Sequence, residues 1–333
     1  MGIYDTFEQY LPEMKDVRAQ YDLCLRENNL NKTAEDKLFD YLSLISTAYH
    51  FNKENKTIEF TKPNIADTLQ KSDNRDIMYN VISSISQRMR YREMQDKAEF
   101  SSFVMNEIYE DKENVERVHS GGWLYKRFPA HDEMTTGESV DLVRYALNVK
   151  PGLGLFKKLD NWCLKYNALD YKIIDKEQYN KRTDPIIIYA NKNNQKEMIE
   201  ELENMVHPYR RKDKYEMAGY ENLGNGIYVA DEVKKEKMKQ LKYAVLDKEE
   251  AAIFMNPVQD EYEQEDRETD IMSQIYKDKS YPVKAFLLAW IDSHQYDYAV
   301  SAAEYQTAKI VVEAYNKTKG NSLNKEYAKQ SIR

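Results

Sequence analysis

Residues 142–149 are Leu-Val-Arg-Tyr-Ala-Leu-Asn-Val. Every second residue from position 143 to position 149 is apolar or aromatic, which is the period of a β-strand with one buried face. Arg144 and Asn148 then share the opposite face. We therefore predict a strand that is buried on one face and carries a cation on the other.

Further strands and helices follow this stretch. Residues 171–175 and 184–189 are rich in isoleucine and tyrosine, and we predict two more strands there. Pro151 is expected to open a helix whose apolar residues recur at helical spacing. Residues 195–206 show the same spacing and predict another helix.

Both ends of the chain carry charged, helical patterns. We predict an α+β protein with a helical N-terminal region, a central domain containing a mixed β-sheet, and C-terminal helices. The composition changes at Gly121 and Gly122, where a charged helical region gives way to one rich in strands. The predicted domains are residues 1–119, which are helical, and residues 120–333, which contain the sheet and the closing helices.

The composition excludes several classes of protein. The 333 residues include 49 Lys and Arg against 57 Asp and Glu, and the net charge of −8 argues against a nucleic-acid-binding protein. Only 10 residues are glycine, which argues against glycine-rich nucleotide-binding loops. Cys24 and Cys163 have no second cysteine or histidine at a ligand spacing, so we expect no disulfide framework and no zinc site.

The chain shows no targeting pattern. Its first residues lack the basic and then apolar pattern of a secretory signal. The longest apolar run, residues 285–291, is too short to cross a bilayer. We expect no contact with a membrane, and a protein that is cytoplasmic or is secreted without a cleavable signal peptide.

Two cations of the central segment are candidates for chemistry. Lys172 lies inside an apolar strand, where burial would lower the pKa of its ammonium group toward that of a useful base. Alternatively, this strand lies at an edge and Lys172 points to solvent. Arg182 precedes Asp184, and its guanidinium could bind a phosphate or carboxylate through two hydrogen bonds. Alternatively, Arg182 forms a loop salt bridge with Asp184 or Asp175.

Residues 140–235 carry a resemblance to a known family. The resemblance depends on the strand at residues 142–149, on a glycine-containing loop at residues 222–231, and on the spacing of five residues: Lys172, Tyr179, Arg182, Asp184 and Tyr189. Together these features resemble the HopA-type family of type III effectors. That family includes lyases of lanthipeptide biosynthesis and is related to the phosphothreonine lyases.

The resemblance implies the elimination of phosphate from a phosphothreonine or phosphoserine, which leaves a dehydroamino acid. This chemistry needs a base for the Cα proton and groups that hold the departing dianion. By similarity, Lys172 is the base, and no metal or other cofactor is implied. The resemblance assigns five residues to the substrate and its phosphate, with the aspartate orienting an arginine: Arg144, Arg182, Asp184, Tyr189 and Tyr179.

One position departs from the family's pattern. The resemblance places a proton donor, His or Tyr, at position 146, where this chain has Ala146. The donor would then be Tyr145, if a bulge turns its side chain into the site, or a histidine such as His131 or His207. Without a donor, the same fold would be a non-catalytic, effector-like or phosphopeptide-binding module.

The expected partner is a phosphorylated peptide or protein. A second protein, such as a kinase or a chaperone, could bind the helical N-terminal region. A third interpretation, a helical interaction scaffold with a small sheet, requires the resemblance to be accidental. The eliminating and the binding hypotheses both predict that Lys172, Arg144, Arg182 and Tyr189 converge in one cationic pocket.

Overall fold

The computed structural model of the chain describes residues 2–52, 54, 57–70, 76–92, 94–109, 115–118, 122–131, 142–231, 235–277, 282–294 and 301–319. The chain divides into two compact units. Unit 1 comprises Met1–Arg88, Val233–Val300 and Glu304–Arg333, and unit 2 comprises Met89–Glu232 and Ser301–Ala303. The predicted domain boundary between residues 119 and 120 lies outside the described residues.

The N-terminal part of unit 1 is helical and contains one small sheet. Its elements are α1 (Asp5–Glu8), α2 (Met14–Glu27), α3 (Ala34–Ala48), β1 (Tyr49–Asn52), β2 (Thr57–Phe60), α4 (Ile65–Gln70) and α5 (Ile77–Arg90). The two strands pair antiparallel. Thr33 and Asp36 form a reciprocal capping box at the N-terminus of α3.

Unit 2 contains a seven-stranded sheet with helices. Its elements in chain order are α6 (Ser102–Tyr109), β3 (Val115–Val118), β4 (Trp123–Arg127), β5 (Leu142–Leu147), α7 (Leu155–Lys165), β6 (Asp170–Ile174), α8 (Lys176–Tyr179), β7 (Ile186–Asn191), α9 (Gln195–Val206), a 3₁₀ turn (His207–Tyr209), β8 (Glu221–Gly224) and β9 (Ile227–Asp231). The strand at residues 142–149 that the sequence predicts is β5, which ends two residues earlier.

The C-terminal part of the chain is helical. It contains α10 (Lys235–Val245), α11 (Lys248–Met255), α12 (Glu261–Lys277), α13 (Pro282–His294) and α14 (Ala302–Thr318). Within unit 1, α13 packs against α10, α12 and α3, and the rings of Phe39 and Phe286 stack with their centres 6.0 Å apart. Among the described helices, none has the length and apolar character that crossing a bilayer requires.

Helices at both ends of a central sheet confirm the predicted α+β class, but the sheet is antiparallel rather than mixed. Its strand order is β3-β4-β6-β7-β5-β9-β8, and every described pair of neighbours is antiparallel. The strands β5 and β6, which α7 connects, run in the same direction. They are not neighbours, however, because β7 lies between them and runs opposite to both.

Helices cover one face of this sheet. Alternate residues of the central strands form a core with apolar residues of α7 and α9, including Val143, Tyr145, Leu147, Tyr171, Ile173, Ile188, Leu159, Trp162, Met198 and Leu202. We call this side of the sheet the apolar face. Its burial supplies the main driving force for folding unit 2, since buried apolar area stabilises by about 25 cal/mol per Å².

The helix after β5 begins later than the sequence predicts. Its start is predicted at Pro151, but α7 begins at Leu155. Gly154, the residue before the helix, has a φ of +81°, a left-handed conformation that favours glycine. Its backbone N–H donates a hydrogen bond to Glu107 at 2.6 Å. The loop therefore extends to Gly154, and the helical register starts only after it.

Candidate functional site

The period of the strands brings the predicted cations to one face of the seven-stranded sheet. Residues paired across neighbouring strands point to the same face. Arg144 of β5 pairs with Tyr189 of β7, and Tyr189 pairs with Asp170 of β6. Lys172 lies two residues after Asp170 and therefore points the same way. We call this side of the sheet, which lies opposite the apolar face, the cationic face.

Cations and aromatic rings alternate on the cationic face. Arg144 Cζ lies 5.0 Å from the centre of the Tyr189 ring, and Lys172 Nζ lies 5.3 Å from the same centre. The Trp123 ring is shared in the same way, since Lys172 Nζ and Arg182 Cζ each lie 4.8 Å from its centre. The rings stabilise these charges without neutralising them. We call Arg144, Lys172 and Arg182 the cationic cluster.

Arg182 is held in place by an acidic and an aromatic partner. Its Nε and Nη2 atoms donate hydrogen bonds to the two carboxylate oxygens of Asp184 at 2.8 and 2.9 Å, and Nη1 donates to the Tyr91 hydroxyl at 3.1 Å. Arg182 is 6% exposed and Asp184 is 3% exposed. Burial disfavours the charged guanidinium, but Asp184 and Tyr91 outweigh this effect and raise the pKa of Arg182. The salt bridge that the sequence leaves open therefore exists, and it fixes Arg182 within the cationic cluster.

Lys172 is half-buried and lies against aromatic rings. Besides Trp123 and Tyr189, its Nζ atom contacts Tyr125, whose ring centre is 5.5 Å away. Within the described residues, no oxygen accepts a hydrogen bond from this ammonium group. The neighbouring strand provides a contrast, because buried Lys126 on the apolar face donates to Asp160 at 2.9 Å. The ammonium group of Lys172 is therefore well placed to bind a ligand.

The surroundings of Lys172 lower its pKa below the ordinary value of 10.5. Burial is the main cause, because it disfavours the charged ammonium. Arg144 and Arg182 act in the same direction, whereas Tyr125 and Asp184 favour the charged form. The lowered pKa makes a neutral amine more accessible here than at an exposed lysine.

Two of the predicted site residues lie away from the cationic cluster. Tyr145 is buried on the apolar face, where its ring meets the Trp162 ring edge to face at 5.8 Å. Tyr179 is buried in the same core, and its hydroxyl donates to the backbone carbonyl of Val149 at 2.8 Å. The pairing of β5 with both neighbours is regular, so no bulge turns Tyr145 toward Arg144. Neither tyrosine contributes a side chain to the cationic cluster.

Tyr145 supports a prediction about stability. Its hydroxyl is buried without a hydrogen-bond partner among the described residues, and burial raises the pKa of Tyr145 to about 12. Removing such a hydroxyl removes a desolvation cost, so we expect Tyr145→Phe to increase the free energy of unfolding by about 1 kcal/mol. Urea titration measures this change, and mass spectrometry of phosphopeptide products is expected to show unchanged activity. A loss of activity in a stable variant would mean that Tyr145 reaches the site.

Sequence reasoning does not identify four aromatic residues of the site, which are Tyr91, Trp123, Tyr125 and Tyr220. The alternation of β4 carries a signal for two of them, because Trp123 and Tyr125 lie two residues apart and share a face. Tyr125 pairs directly with Lys172. Tyr91 and Tyr220 lie outside the seven strands of the sheet, and no local pattern indicates their positions.

Tyr220 lies beside Ala146 on the cationic face. Ala146, Met217 and Tyr228 form a small apolar cluster, and the half-buried ring of Tyr220 packs against it. Burial raises the pKa of Tyr220, and Arg144 acts in the opposite direction. Ala146 thus belongs to a small apolar cluster against which a tyrosine ring packs.

One of the two candidate histidines approaches the cationic face. His131 Nδ1 lies 3.3 Å from a carboxylate oxygen of Asp170, the residue two positions before Lys172. Burial raises the pKa of Asp170, while His131 and Lys172 favour its charged form. His207 is exposed in the 3₁₀ turn. His131 is therefore the candidate histidine that lies near Lys172.

The described part of the chain holds no group of three or more His, Cys, Asp or Glu side chains arranged for a metal ion. Cys24 and Cys163 are both free thiols. The residues of the cationic face are instead suited to an anionic ligand, because guanidinium and ammonium groups donate hydrogen bonds and accept none.

Comparisons with known proteins give distant structural similarities only. No family model matches the sequence, and no curated protein matches it. The structure is similar to the effector protein from Pseudomonas syringae pv. syringae strain 61, with a TM-score of 0.36 and 13% identity over 46% of this chain and 71% of that chain. It is also similar to the effector protein from Pseudomonas syringae pv. tomato strain DC3000, with a TM-score of 0.33 and 13% identity over 68% of this chain and 89% of that chain.

Proposed function

We propose that the protein binds a phosphorylated threonine or serine of a peptide at the cationic cluster and eliminates its phosphate, which leaves a dehydroamino acid. One observation carries this proposal. Lys172, a half-buried lysine with a lowered pKa, lies between Arg144 and Arg182 on one face of the sheet, separated from each by a single aromatic ring. This arrangement combines a candidate base with candidate phosphate ligands.

The two arginines supply the charge that a phosphate needs. A phosphorylated side chain carries about −1.5 to −2 charges at neutral pH and three strong acceptor oxygens. Arg144 is 5% exposed and Arg182 is 6% exposed, so their interaction with an anion is screened less by water than at the surface. Asp184 offsets part of the charge of Arg182 while orienting it. With the arginines binding the phosphate, Lys172 can act in its neutral form.

Lys172 and solvent together account for the protons of the proposed elimination. The lone pair of neutral Lys172 Nζ takes the Cα proton, and the electrons of the Cα–H bond form the Cα=Cβ double bond. The Cβ–O bond breaks, its electron pair stays on the phosphate oxygen, and that oxygen takes up a proton from solvent. Lys172 then returns its proton to solvent. General base catalysis of this kind contributes typically 10²–10⁴-fold to a rate.

A second candidate function is a phosphopeptide-binding, effector-like module without turnover. The observation that favours it is the environment of residues 145 and 146. Tyr145 is buried on the apolar face, and Ala146 offers no proton. Binding needs the cationic cluster alone, whereas turnover also needs a proton for the phosphate. The partner protein predicted for the helical N-terminal region stays a prediction in either case.

Mass spectrometry of a phosphothreonine and phosphoserine peptide library tests the proposal. After incubation with the protein, we expect peptides that have lost one phosphoric acid and are one water lighter than the corresponding dephosphorylated peptides. A thiol added afterwards should form an adduct with the dehydroamino acid, which hydrolysis products cannot do. Dephosphorylated peptides would indicate a phosphatase instead.

The same samples separate turnover from binding. If phosphopeptides are retained by the protein but unchanged, the module without turnover is correct and the lyase proposal is wrong. If phosphopeptides are neither retained nor changed, both functions are wrong. The matched unphosphorylated library is the control for retention, since the cationic cluster should distinguish the two libraries by charge.

A further inference from the structure

We propose that Tyr91 gives its hydroxyl proton to the departing phosphate, an inference that rests on the proposed elimination. It assigns a catalytic role to a residue that lies outside the seven strands of the sheet. Two observations carry it. Arg182 Nη1 donates a hydrogen bond to the Tyr91 hydroxyl oxygen at 3.1 Å, and the backbone of Tyr91 pairs with that of Arg182.

The backbone holds Tyr91 and Arg182 side by side. The two residues form an isolated antiparallel bridge, and backbone hydrogen bonds of 2.6 and 2.8 Å lie on either side of it. Thr183, which takes part in one of these bonds, also donates from its hydroxyl to the carbonyl of Arg90 at 3.0 Å. Side chains of directly opposite residues project to the same side of an antiparallel pair. The half-buried ring of Tyr91 therefore lies along the guanidinium, with its centre 4.9 Å from Arg182 Cζ.

The direction of the side-chain hydrogen bond turns the Tyr91 proton toward a ligand. A guanidinium group has five N–H donors and no acceptor, so the hydroxyl hydrogen of Tyr91 points away from Arg182. Arg182 donates two of its N–H groups to Asp184 and one to Tyr91. Among the described residues, none accepts the other two. A phosphate oxygen bound to these two groups lies beside the Tyr91 hydroxyl, which can donate to it.

The donor and the base lie on the same face. An elimination takes a proton from Cα and a leaving group from the adjacent Cβ, so the two groups must lie near each other. The Trp123 ring contacts both cations concerned, since Lys172 Nζ and Arg182 Cζ are each 4.8 Å from its centre. A phosphothreonine whose phosphate binds Arg182 and Tyr91 can therefore present its Cα proton to Lys172.

The proposed step is balanced in protons and electrons. The O–H bond of Tyr91 breaks as the Cβ–O bond of the substrate breaks, and the proton joins the phosphate oxygen. Arg182 stabilises the tyrosinate through the hydrogen bond that it already donates, because a bond from a cation to an oxyanion is stronger than one to a neutral hydroxyl. Tyr91 then takes a proton from solvent. The proton of the departing phosphate thus comes from solvent by way of Tyr91.

Comparison of two leaving groups tests this role. Phosphate leaves as a strongly basic trianion unless it is protonated, whereas a sulfate ester of the same shape leaves as a weakly basic dianion that needs no proton. We expect Tyr91→Phe, which keeps the ring, to slow elimination from an O-phosphothreonine peptide by roughly 10²–10⁴-fold. Elimination from the matched O-sulfothreonine peptide should slow by less than roughly tenfold by the same reasoning. Calorimetry sets saturating concentrations, and retained sulfate elimination shows that the variant is folded.

Two control variants remove other candidate donors. Tyr125→Phe removes a hydroxyl from a ring whose centre lies 5.5 Å from Lys172 Nζ, and both leaving groups should respond equally to it. His131→Asn removes the histidine near this face. The proposal is overturned if Tyr91→Phe slows both leaving groups equally, because Tyr91 would then be a positioning residue for Arg182. It is also overturned if either control variant shows the leaving-group-dependent loss instead.

The proposed function itself fails in a different way. If the unsubstituted protein eliminates neither phosphate nor sulfate, the lyase proposal is wrong and the role of Tyr91 falls with it. If the protein eliminates both and Tyr91→Phe has no selective effect on phosphate, elimination stands and the assignment of the donor is wrong. The assignment is also wrong if the protein binds both peptides but eliminates phosphate alone, because protonation of the leaving group would then not limit the reaction.

Discussion

Phosphate elimination is expected to fall by roughly 10²–10⁴-fold when Lys172 is replaced by methionine. Methionine has nearly the length of lysine and makes favourable contacts with aromatic rings, so it can occupy the space among Trp123, Tyr125 and Tyr189. It has no lone pair that can take a Cα proton. The expected loss is therefore in kcat, and mass spectrometry of a single phosphothreonine peptide over time measures it.

The pH dependence of turnover distinguishes a base from an electrostatic role of Lys172. A base must be neutral, so kcat/KM, which reports the free enzyme, should rise with pH until it passes the lowered pKa of Lys172 and then level off below pH 10.5. Phosphopeptide binding should show the opposite sign, because loss of the ammonium charge weakens attraction to the phosphate. Arg144, Arg182, Asp184, Tyr125 and Asp170 face the same group, and the first two keep their charge throughout.

The free energy of unfolding should also depend on the titration of Lys172. The pKa of Lys172 in the folded chain is below its unfolded value, so the unfolded state binds more protons between these two values. The free energy of unfolding should therefore rise with pH in this range. Lys172→Met lacks the titrating group and should lack this rise. Urea titrations of both proteins at a series of pH values measure the difference.

A matched substitution separates the site from general charge effects. Lys176 is exposed in α8 of the same unit, and Lys176→Met makes the same chemical change without touching the cationic face. It should leave kcat and binding unchanged. If Lys172→Met keeps full turnover, or if Lys176→Met loses as much, Lys172 is not the base. If Lys172→Met loses binding alone, the phosphopeptide-binding function is favoured.

Much of this site can be predicted from the sequence, because side chains alternate between the two faces along each strand. Alternation places Arg144 on the face opposite Val143 and Tyr145, and the same rule separates Lys172 from Tyr171 and Ile173. These residues meet because β7 pairs with both β5 and β6, so Tyr189 contacts the two cations together. The alternation of side chains along β5 also argues against Tyr145 in the site. A residue next to Arg144 in the strand reaches the face that carries Arg144 only through a bulge.

The remaining features depend on contacts that no local pattern carries. Tyr91 contacts Arg182 across 91 positions of sequence, and Tyr220 packs from outside the strands against the cluster that contains Ala146. The order of the strands is equally non-local. A helix between β5 and β6 suggests neighbouring parallel strands, but β7 inserts between them and makes the sheet antiparallel. The resemblance places Tyr179 in the predicted set, but its ring is buried in the core and its hydroxyl donates to the carbonyl of Val149.

The salt bridge between Arg182 and Asp184 is expected to have the largest effect on stability. Asp184→Ala leaves the guanidinium of Arg182 buried without its carboxylate, and breaking a buried ion pair by removing one partner costs about 3–5 kcal/mol. Urea titration followed by tryptophan fluorescence measures this loss. Peptide-resolved hydrogen exchange should place it within residues 89–232, where both partners lie.

The exposed pair Lys176–Glu177 is the control, because its 3.8 Å contact lies at the surface of the same unit. Solvent-exposed ion pairs contribute little, so Glu177→Ala should cause no measurable loss of stability. Asp184→Ala should also move the pH at which kcat/KM rises to lower values, since Asp184 favours the charged form of Lys172 in the free protein. This shift in the pH profile of turnover links the stability experiment to the site, because a defect in folding alone would leave the pH profile unchanged.

The double variant Arg182→Met with Asp184→Ala tests why Asp184→Ala loses stability. The loss comes either from an unpaired buried charge on Arg182 or from lost packing. Removing both charges leaves no uncompensated ion, and buried pairs replaced by apolar groups often lose little stability. We therefore expect the double variant to be more stable than Asp184→Ala, with a coupling energy of about 1–3 kcal/mol between the two positions. The double variant could instead lose as much stability as the two single variants together. The pair would then not interact as the 2.8 and 2.9 Å hydrogen bonds indicate. Asp184 would then not orient Arg182 for a phosphate.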